Sequence, residues 1–414
     1  MIRILPCSEA GRLLNRRAQR LAQVEAAVQP IIEDVRKRGD KALLEYVRKL
    51  DGLDRSSISV KPKELEAAYS RLSEELKTAA QAAIANIRRY AQYQMPEEGV
   101  RTFAPGMRLG QIVRPLGTVA AYVPGGRYPL PSTLLMTAVP AQVAGVPRIC
   151  ICTPRPSDAV LGMAHTLGVS EVFLMGGAHA IAAFAFGTKT VPQAERIVGP
   201  GNAYVAAAKK LLAGEVGIDF IAGPTEILII AREGSPRHLA ADMLAQAEHD
   251  PQASAILLTT SRKLAESVAQ QIEMQLRDLP TAAVARKAID GSSAIIIVSS
   301  MEEAIDVSNQ FAPEHLSLPD NALLEKVTNA GSVFVGPSSP EAAGDYACGP
   351  NHVLPTNGSA RLRGGLSVRD FLKVISVQEL SASALSRLAP TITTLARAEG
   401  LEAHARSVEI RVGG

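Results

Sequence analysis

The chain has 414 residues, of which 47% are hydrophobic and 21% charged, so a wholly disordered protein is excluded. Its 44 Lys and Arg residues against 41 Asp and Glu residues give a net charge of +3, too small to indicate nucleic acid or an acidic partner. Aromatic residues make up only 4% and Trp is absent, which argues against surfaces that stack on bases.

The first part of the chain predicts helices. Residues 1–22 are expected to form an N-terminal arm, and they lack the apolar core of a signal peptide. Between residues 24 and 94, apolar residues recur at helical spacing, and Asp40 is predicted to cap the second helix. Residues 107–123 change to short β-type runs.

Two series of short strands then alternate with helices. The first series comprises Thr118–Val123, Arg148–Cys152, Glu171–Met175, Arg196–Val198 and Ile218–Ile221. The second comprises Glu226–Ala231, Ala253–Thr259, Ser293–Val298 and Ser332–Val335, with helices at about 236–249, 261–277 and 301–311. This alternation predicts an α/β fold with two Rossmann-like units, each a parallel sheet covered on both faces. The G-x-G-x-x-G fingerprint of dinucleotide-binding units is absent from the sequence.

The domain organisation follows from these two series. Residues 23–117 together with 226–358 are expected to form a first α/β domain, and residues 118–225 a second. Residues 359–414 form a small C-terminal extension after a Gly/Ser/Arg-rich stretch that resembles a linker, in which Arg361 and Arg363 have no assigned role. Because this extension is short, it cannot bury much apolar surface by itself. We therefore expect it to dock elsewhere, on a partner subunit.

The cysteines predict a reducing compartment. Cys150 and Cys152 alternate along an apolar run typical of a buried strand, and no Cys spacing matches a disulfide framework or a cysteine zinc site. Long uncharged stretches are interrupted by Pro, Gly and polar residues and do not fit a membrane span. The expected location is the cytoplasm.

Two short segments carry pairs of residues suited to catalysis or metal binding. Gln246 and His249 in LAQAEHD are three residues apart, so on a helix they share a face; a polar helix end explains them equally well. Glu314 and His315 in APEHL offer an adjacent carboxylate and imidazole for acid–base chemistry. The alternative there is a turn with a surface Glu and a His that begins a strand.

Two further segments complete a zinc-like set. Asp345 in GDYACGPNH is a candidate oxygen ligand, while Glu399 and His404 lie five residues apart across a helix break at Gly400. Two imidazoles, one carboxylate and a side-chain amide suit zinc. Because the set has one negative charge, bound Zn²⁺ would keep about one positive charge and stabilise a developing alkoxide.

Three glycine-rich segments follow predicted strands, at residues 122–126, 176–180 and 199–203. Two of them lie at the start of predicted helices, where free backbone N–H groups could bind phosphates. Ordinary strand-to-helix turns explain the same glycines.

These segments, taken together and in this order, resemble the histidinol dehydrogenase family over roughly residues 20–412. The resemblance lies in YVPGGRYPLPSTLLMTAVPAQVAGV, GGAHAIAAFAFGT, IVGPGNAYVAAAKK, DFIAGPTEILIIA, LAQAEHD, APEHLSL, EAAGDYACGPNHVLPT and AEGLEAHARS. It implies a zinc-dependent, NAD-linked homodimer that oxidises L-histidinol to the aldehyde and then to L-histidine, using two NAD, as the last step of histidine biosynthesis.

The resemblance also implies a role for individual residues. The zinc ligands would be Gln246, His249, Asp345 and, from the other subunit, His404. These four would also contact the substrate, together with His315, Thr225 and Glu399. The cofactor contacts would be Tyr122, Asn202 and His179. At His179 the family pattern has Gln, and an imidazole is shorter and titratable.

The expected mechanism assigns one task to each member of the catalytic pair. Neutral His315 removes a proton in each oxidation, and Glu314 activates a water between them. A zinc- and NAD-dependent dehydrogenase of another small polar alcohol, such as a sulfonated diol, is an alternative, although Glu399 would repel a sulfonate. A zinc hydrolase is a further alternative, and it would need no NAD.

Overall fold

The computed structural model describes residues 1–9, 11, 21–125 and 128–413. Much of the expected N-terminal arm, and residues 126–127 of the first glycine-rich segment, lie outside these ranges. The strands are β1 (Arg3–Pro6), β2 (Gly99–Ala104), β3 (Met107–Pro115), β4 (Thr118–Tyr122), β5 (Arg148–Cys152), β6 (Glu171–Phe173), β7 (Arg196–Val198), β8 (Gly217–Ile218), β9 (Glu226–Ile230), β10 (Ser254–Thr259), β11 (Ala294–Ile297), β12 (His315–Leu318), β13 (Ser332–Val335) and β14 (Leu372–Leu380).

The helices lie mostly between these strands. They are α1 (Leu21–Arg38), α2 (Asp40–Tyr46), α3 (Pro62–Ser70), α4 (Glu74–Tyr93), α5 (Pro131–Val143), α6 (Asp158–Thr166), α7 (Gly177–Phe186), α8 (Ala203–Leu212), α9 (Pro236–Ala247), α10 (Arg262–Gln275), α11 (Ala282–Gly291), α12 (Met301–Phe311), α13 (Glu341–Tyr346), α14 (Ala382–Ala398) and α15 (Glu402–Val412). None of the helices in the described ranges is both long enough and apolar enough to cross a bilayer.

A six-stranded parallel sheet combines β1 with five strands from the second half of the chain. Its order is β1-β11-β10-β9-β12-β13. Every residue of β10 is buried, as expected for a strand covered on both faces. The edge strand β1 comes from the expected N-terminal arm, and its four residues are too few to give a sequence signal.

A five-stranded parallel sheet is built from residues 118–218. Its order is β6-β5-β4-β7-β8, so the chain leaves the central strand β4 in one direction and returns to its other side at β7. Helix α7 is apolar and buried around most of its circumference, because other helices cover its outer side. The expected α/β fold with parallel sheets is therefore confirmed.

The N-terminal helices pack on the five-stranded sheet. Helix α1 packs against α7 and α8, α3 against α6, and α4 against α5, and their apolar residues belong to the two cores of that sheet. The predicted domain boundaries instead group residues 23–117 with 226–358. An apolar helix face shows that a helix packs on something, but its periodicity does not say which sheet it meets.

Two local expectations are wrong. Gly39, with φ of 54°, caps α2, whereas the Asp40 carboxylate accepts hydrogen bonds from the hydroxyl and the N–H of Thr190. The expected linker is held in place: the Arg363 guanidinium donates to Asp370 at 2.7 and 2.8 Å and to the carbonyl of Asp219 at 2.7 Å. Arg361 likewise donates to the carbonyl of Gln310, so both arginines anchor the base of the extension.

The C-terminal extension begins with a strand and ends in a helical hairpin. Strand β14 pairs antiparallel with β3, which pairs with β2. Beyond it, α14 and α15 pack on each other, and the helices separate at Gly400, whose φ of 76° favours glycine. Large apolar side chains of the extension are exposed, among them Leu395 and Ile410.

Candidate active site

The residues Glu314 and His315 lie at the amino end of β12, inside the six-stranded sheet. Both are buried, and β12 runs between β9 and β13. The preceding helix α12 ends at Ala312, a non-glycine residue held in the left-handed conformation with φ of 52°. Such strained residues persist where the surroundings determine the backbone, often next to functional groups.

Hydrogen bonds orient both side chains of this pair. The Glu314 carboxylate accepts from the Thr225 hydroxyl at 2.5 Å and from the Glu226 N–H at 2.8 Å. His315 Nδ1 lies 3.0 Å from the carbonyl oxygen of Glu226. A carbonyl can only accept, so Nδ1 carries the proton, and in the neutral ring Nε2 presents a lone pair. Within the described residues Nε2 makes no hydrogen bond.

Acidic groups surround the imidazole of His315. Asp345 Oδ1 lies 3.6 Å from its Nε2, and the ring of Phe334 packs at a centroid distance of 5.9 Å. Helix α13 can approach this closely because residue 344 is a glycine. A Cβ at this position would lie only 2.6 Å from the Phe334 ring. Gly344 therefore allows α13 to pack closely against Phe334.

Burial and charge shift the pKa values of the pair. Burial raises the pKa of Glu314 to about 7. Burial lowers the pKa of His315, but the carboxylates of Glu314, Asp345 and Glu341 outweigh it and raise that pKa to about 10. Burial opposes ionisation of Asp345, yet His315 holds its pKa below the usual value. The site therefore has an excess of acidic groups and favours a bound cation.

Gln246 and His249 reach the same edge from the end of α9. This helix follows β9 and returns antiparallel to it, so its C-terminus lies at the amino ends of the strands. The orientation that satisfies the Gln246 amide has its nitrogen donating to Glu341 at 2.9 Å and its oxygen accepting from the Glu226 N–H at 3.2 Å. His249 is exposed just beyond the helix, and its charge helps to lower the pKa of Asp345.

Three of the four expected zinc ligands thus share one edge of the sheet. In the described part of the chain, no three His, Cys, Asp or Glu side chains are grouped so that they could hold a metal ion. Of the three expected zinc ligands at this edge, His249 and Asp345 belong to these residue types, whereas Gln246 contributes an amide. The side chains of Gln246, His249 and Asp345 offer an amide, an imidazole and a carboxylate. These donors, next to an excess of acidic groups, fit a divalent cation such as zinc.

The remaining expected site residues of the extension lie apart from this edge. Glu399 ends α14 and His404 lies in α15, and both side chains are exposed. Neither forms a hydrogen bond or ion pair with the other expected ligands in the described residues. Within a single chain, the structure does not bring them to the site.

The expected cofactor residues gather at the carboxyl ends of the five-stranded sheet. The switch point lies between β4 and β7, where ligands of parallel sheets commonly bind. Tyr122 ends β4, and Gly199 follows β7 with φ of 106°; a Cβ there would collide with the carbonyl oxygen of Tyr122. Asn202 is exposed and caps α8, accepting from the N–H groups of Tyr204 and Val205.

The N–H groups expected to receive phosphates at α7 are already engaged. The Gly176 N–H donates to Asp51 and the Gly177 N–H to the Tyr122 hydroxyl. His179 is fully buried, and its Nε2 lies 2.9 Å from the same Asp51 oxygen. Tyr122 is also buried, which raises the pKa of its hydroxyl.

The segment between β8 and β9 links the two sheets and contacts both sites. At one end, Asp219 accepts from the Gly199 N–H at 2.8 Å, and Lys209 donates to Asp219 at 2.7 Å and to the Gly199 carbonyl at 2.6 Å. At its other end, Thr225 donates to Glu314. The carboxyl edge of the five-stranded sheet and the Glu314–His315 pair are therefore joined by seven consecutive residues, 219–225.

Several of these residues have no role among the sequence-based expectations. Glu341 could have been found, because it lies four residues before Asp345 and an i,i+4 spacing puts both on one helix face. Asp51, Lys209 and Asp219 had no such signal, since their partners are distant in the chain or are backbone groups. His352 connects α5 and α13, because its Nε2 lies 3.2 Å from the Thr133 hydroxyl and its Nδ1 lies 2.8 Å from the Asp345 carbonyl.

Comparisons with known proteins identify the family. The family model for histidinol dehydrogenase matches residues 14–412. The histidinol dehydrogenase of Geobacter sulfurreducens is 47% identical over 98% of this chain and 97% of its own, and that of a Synechococcus species is 48% identical over 94% and 92%. The crystal structure of the Elizabethkingia anophelis histidinol dehydrogenase is 38% identical, with a TM-score of 0.95 over 100% of this chain and 98% of its own. This chain therefore belongs to the histidinol dehydrogenase family.

Proposed function

We propose that the protein is a histidinol dehydrogenase that oxidises L-histidinol through L-histidinaldehyde to L-histidine, with NAD as electron acceptor. The observation that carries the proposal is the buried pair Glu314 and His315, with Nδ1 tied to a backbone carbonyl and Nε2 available to a substrate. The family to which the chain belongs supports the same reaction.

The acidic surroundings favour this substrate. Histidinol carries an amine and an imidazole, both of which can be cationic, and Glu314, Glu341 and Asp345 lie around the imidazole of His315. An anionic alcohol such as a sulfonated diol would meet repulsion from the same carboxylates. The charge of the site thus argues for histidinol over that alternative.

His315 would act as the base in both oxidations. Its Nε2 takes the proton of the carbinol and later of the hydrated aldehyde, while the bond to Glu226 keeps the ring oriented. The three carboxylates favour imidazolium, so the positive charge of a bound cation is needed to keep the ring neutral. Positioned base catalysis contributes about 10²–10⁴-fold.

Glu314 would activate the water that converts aldehyde to hydrate. Its pKa near 7 gives a carboxylate basic enough to accept a proton from water at neutral pH. Thr225 and the Glu226 N–H hold the carboxylate in one orientation. This division of labour leaves each member of the pair with one proton to move.

Zinc and NAD would complete the site. Gln246, His249 and Asp345 would hold zinc, with His404 of a second subunit as the fourth ligand, and bound zinc would supply a Lewis acid that orients the substrate. The strand order of the five-stranded sheet reverses between β4 and β7, and this switch point supports a dinucleotide near Tyr122 and Asn202. Burial of His179 argues against a direct cofactor contact there.

A homodimer would supply the residues that one chain leaves distant. Glu399 and His404 are exposed on an extension whose apolar side chains, such as Leu395 and Ile410, are also exposed. A second copy would cover these side chains and bring the two polar residues to the acidic edge of its neighbour. We further propose that the enzyme acts in the cytoplasm.

The test is L-histidinol-dependent reduction of NAD by the purified full-length chain, followed by the absorbance of the reduced cofactor. Two reduced cofactors per L-histidine are expected, and a chelator should abolish the activity until zinc is restored. Reduction with a sulfonated diol but not with histidinol would support the alternative dehydrogenase. Product formation without NAD would support a hydrolase. Full activity of metal-free protein would exclude the zinc site.

A further inference from the structure

His179 and Asp51 form a buried pair at the cofactor edge of the five-stranded sheet. The His179 side chain has no exposed area, and its Nε2 lies 2.9 Å from Asp51 Oδ2. The ring of Tyr46 stacks on the imidazole at a centroid distance of 5.9 Å and an interplanar angle of 24°. Asp51 ends a π-helical turn, Val47–Asp51, that follows α2. The pair therefore joins this turn to the start of α7.

The same carboxylate oxygen holds the backbone that leads into α7. The Gly176 N–H donates to Asp51 Oδ2 at 2.9 Å, and Gly176 caps the helix. The next residue, Gly177, has φ of 55° and donates its N–H to the Tyr122 hydroxyl at 3.2 Å. Protein groups thus fix two successive N–H groups of the turn before any cofactor binds.

The hydrogen bonding of His179 argues against a direct contact with a cofactor. Because the Asp51 carboxylate only accepts, Nε2 carries a proton and donates it to Asp51. Nδ1 is buried and makes no hydrogen bond within the described residues, and it lies 3.4 Å from the position of a Cβ on Gly177. The side chain therefore points under the turn and has its donor already in use.

We propose that Asp51 and His179 are positioning residues that hold the Gly176–Gly177 turn in the conformation that receives the dinucleotide. The proposal rests on the proposed function, since it takes NAD to bind at this edge. A turn ordered in advance avoids the entropy loss of ordering on binding. His179 would thus act through Asp51 and the backbone, where the family pattern has a side chain of different length and polarity.

The test compares Asp51→Ala with Asp40→Ala in the full-length protein. Asp40 is a matched control because its carboxylate also joins the α2 region to residues near α7, accepting from the Thr190 hydroxyl at 2.6 Å and from the Thr190 N–H at 3.3 Å. Losing one such hydrogen bond corresponds to roughly tenfold in an equilibrium constant. We expect Asp51→Ala to raise the KM and the Kd for NAD by about tenfold and to leave kcat within about twofold.

Amide hydrogen exchange of the cofactor-free protein provides a readout that does not depend on turnover. A peptide covering residues 173–181 should exchange faster in Asp51→Ala and should be unchanged in Asp40→Ala. Equal exchange in both variants, or an equal effect of both on the Kd for NAD, overturns the proposal. If the wild-type protein binds no NAD, the proposed function fails, whereas the exchange experiment still decides whether Asp51 holds the turn.

A double variant separates positioning from contact. If His179 acts through Asp51, His179→Ala should add less than about twofold to the Kd for NAD in the Asp51→Ala background. Full additivity of the two changes would indicate an independent contact of His179 with the cofactor and would overturn the proposal.

The variant Asp51→Asn serves if Asp51→Ala fails to fold. It keeps an acceptor for the Gly176 N–H, so it should show a smaller rise in the Kd for NAD and in the exchange rate. A Kd and exchange equal to those of the wild type would also overturn the proposal.

Discussion

Replacing Lys209 by Met should destabilise the protein strongly, because it leaves a carboxylate buried without its counter-ion. The side chains of Lys209 and Asp219 are 2% and 0% exposed, and Nζ lies 2.7 Å from the carboxylate. Methionine preserves the length of the side chain but not its charge. Among the described residues, the Asp219 carboxylate would then keep the N–H groups of Gly199 and Phe220 as its donors. Removing one member of a buried ion pair typically destabilises a protein by about 3–5 kcal/mol.

The neighbouring Lys210 provides a matched control on the same helix. Its ammonium lies 2.7 Å from Glu25, but these side chains are 47% and 22% exposed, and such pairs contribute about 0–1 kcal/mol. The assay is urea denaturation followed by far-UV circular dichroism on both Lys→Met variants. A loss for Lys209→Met no larger than that for Lys210→Met would refute the reasoning. Adding Asp219→Asn to Lys209→Met removes the uncompensated charge and should recover part of the lost stability.

Three further predictions concern the catalytic pair. His315→Asn should lower kcat by about 10²–10⁴-fold in steady-state assays, and a loss below about tenfold would remove it from the role of base. Glu314→Gln should spare the oxidation of supplied aldehyde hydrate more than the overall reaction; equal losses would contradict water activation. Because burial raises the pKa of Glu314 from 4.5 to about 7, the folded metal-free protein keeps a proton that the unfolded chain releases, so its stability should fall as pH rises from about 5 to 7. Thermal unfolding across this range should show a weaker dependence in Glu314→Gln, and identical slopes would contradict the raised pKa.

The candidate site was only partly predictable. Glu314, His315 and Asp345 stood out because they lie in short motifs of residue types that carry chemistry, and the structure brings them to one edge of a sheet. That edge is the amino end of the strands, whereas ligands of parallel sheets usually bind at the carboxyl end, so topology alone would have pointed elsewhere. Glu341 joins the site through a contact with Gln246 that no spacing between these two residues indicates.

By itself, the sequence determined the α/β class, most of the parallel strands and the segments that hold reactive side chains, because alternation, apolar runs and glycine turns are local patterns. Only the tertiary structure decided which sheet the N-terminal helices cover, that Arg363 anchors an apparent linker, and that His179 meets Asp51 across 128 positions of the chain. The physical reason is that apolar faces and buried charges specify a kind of partner, while the particular partner is set by how distant segments pack together.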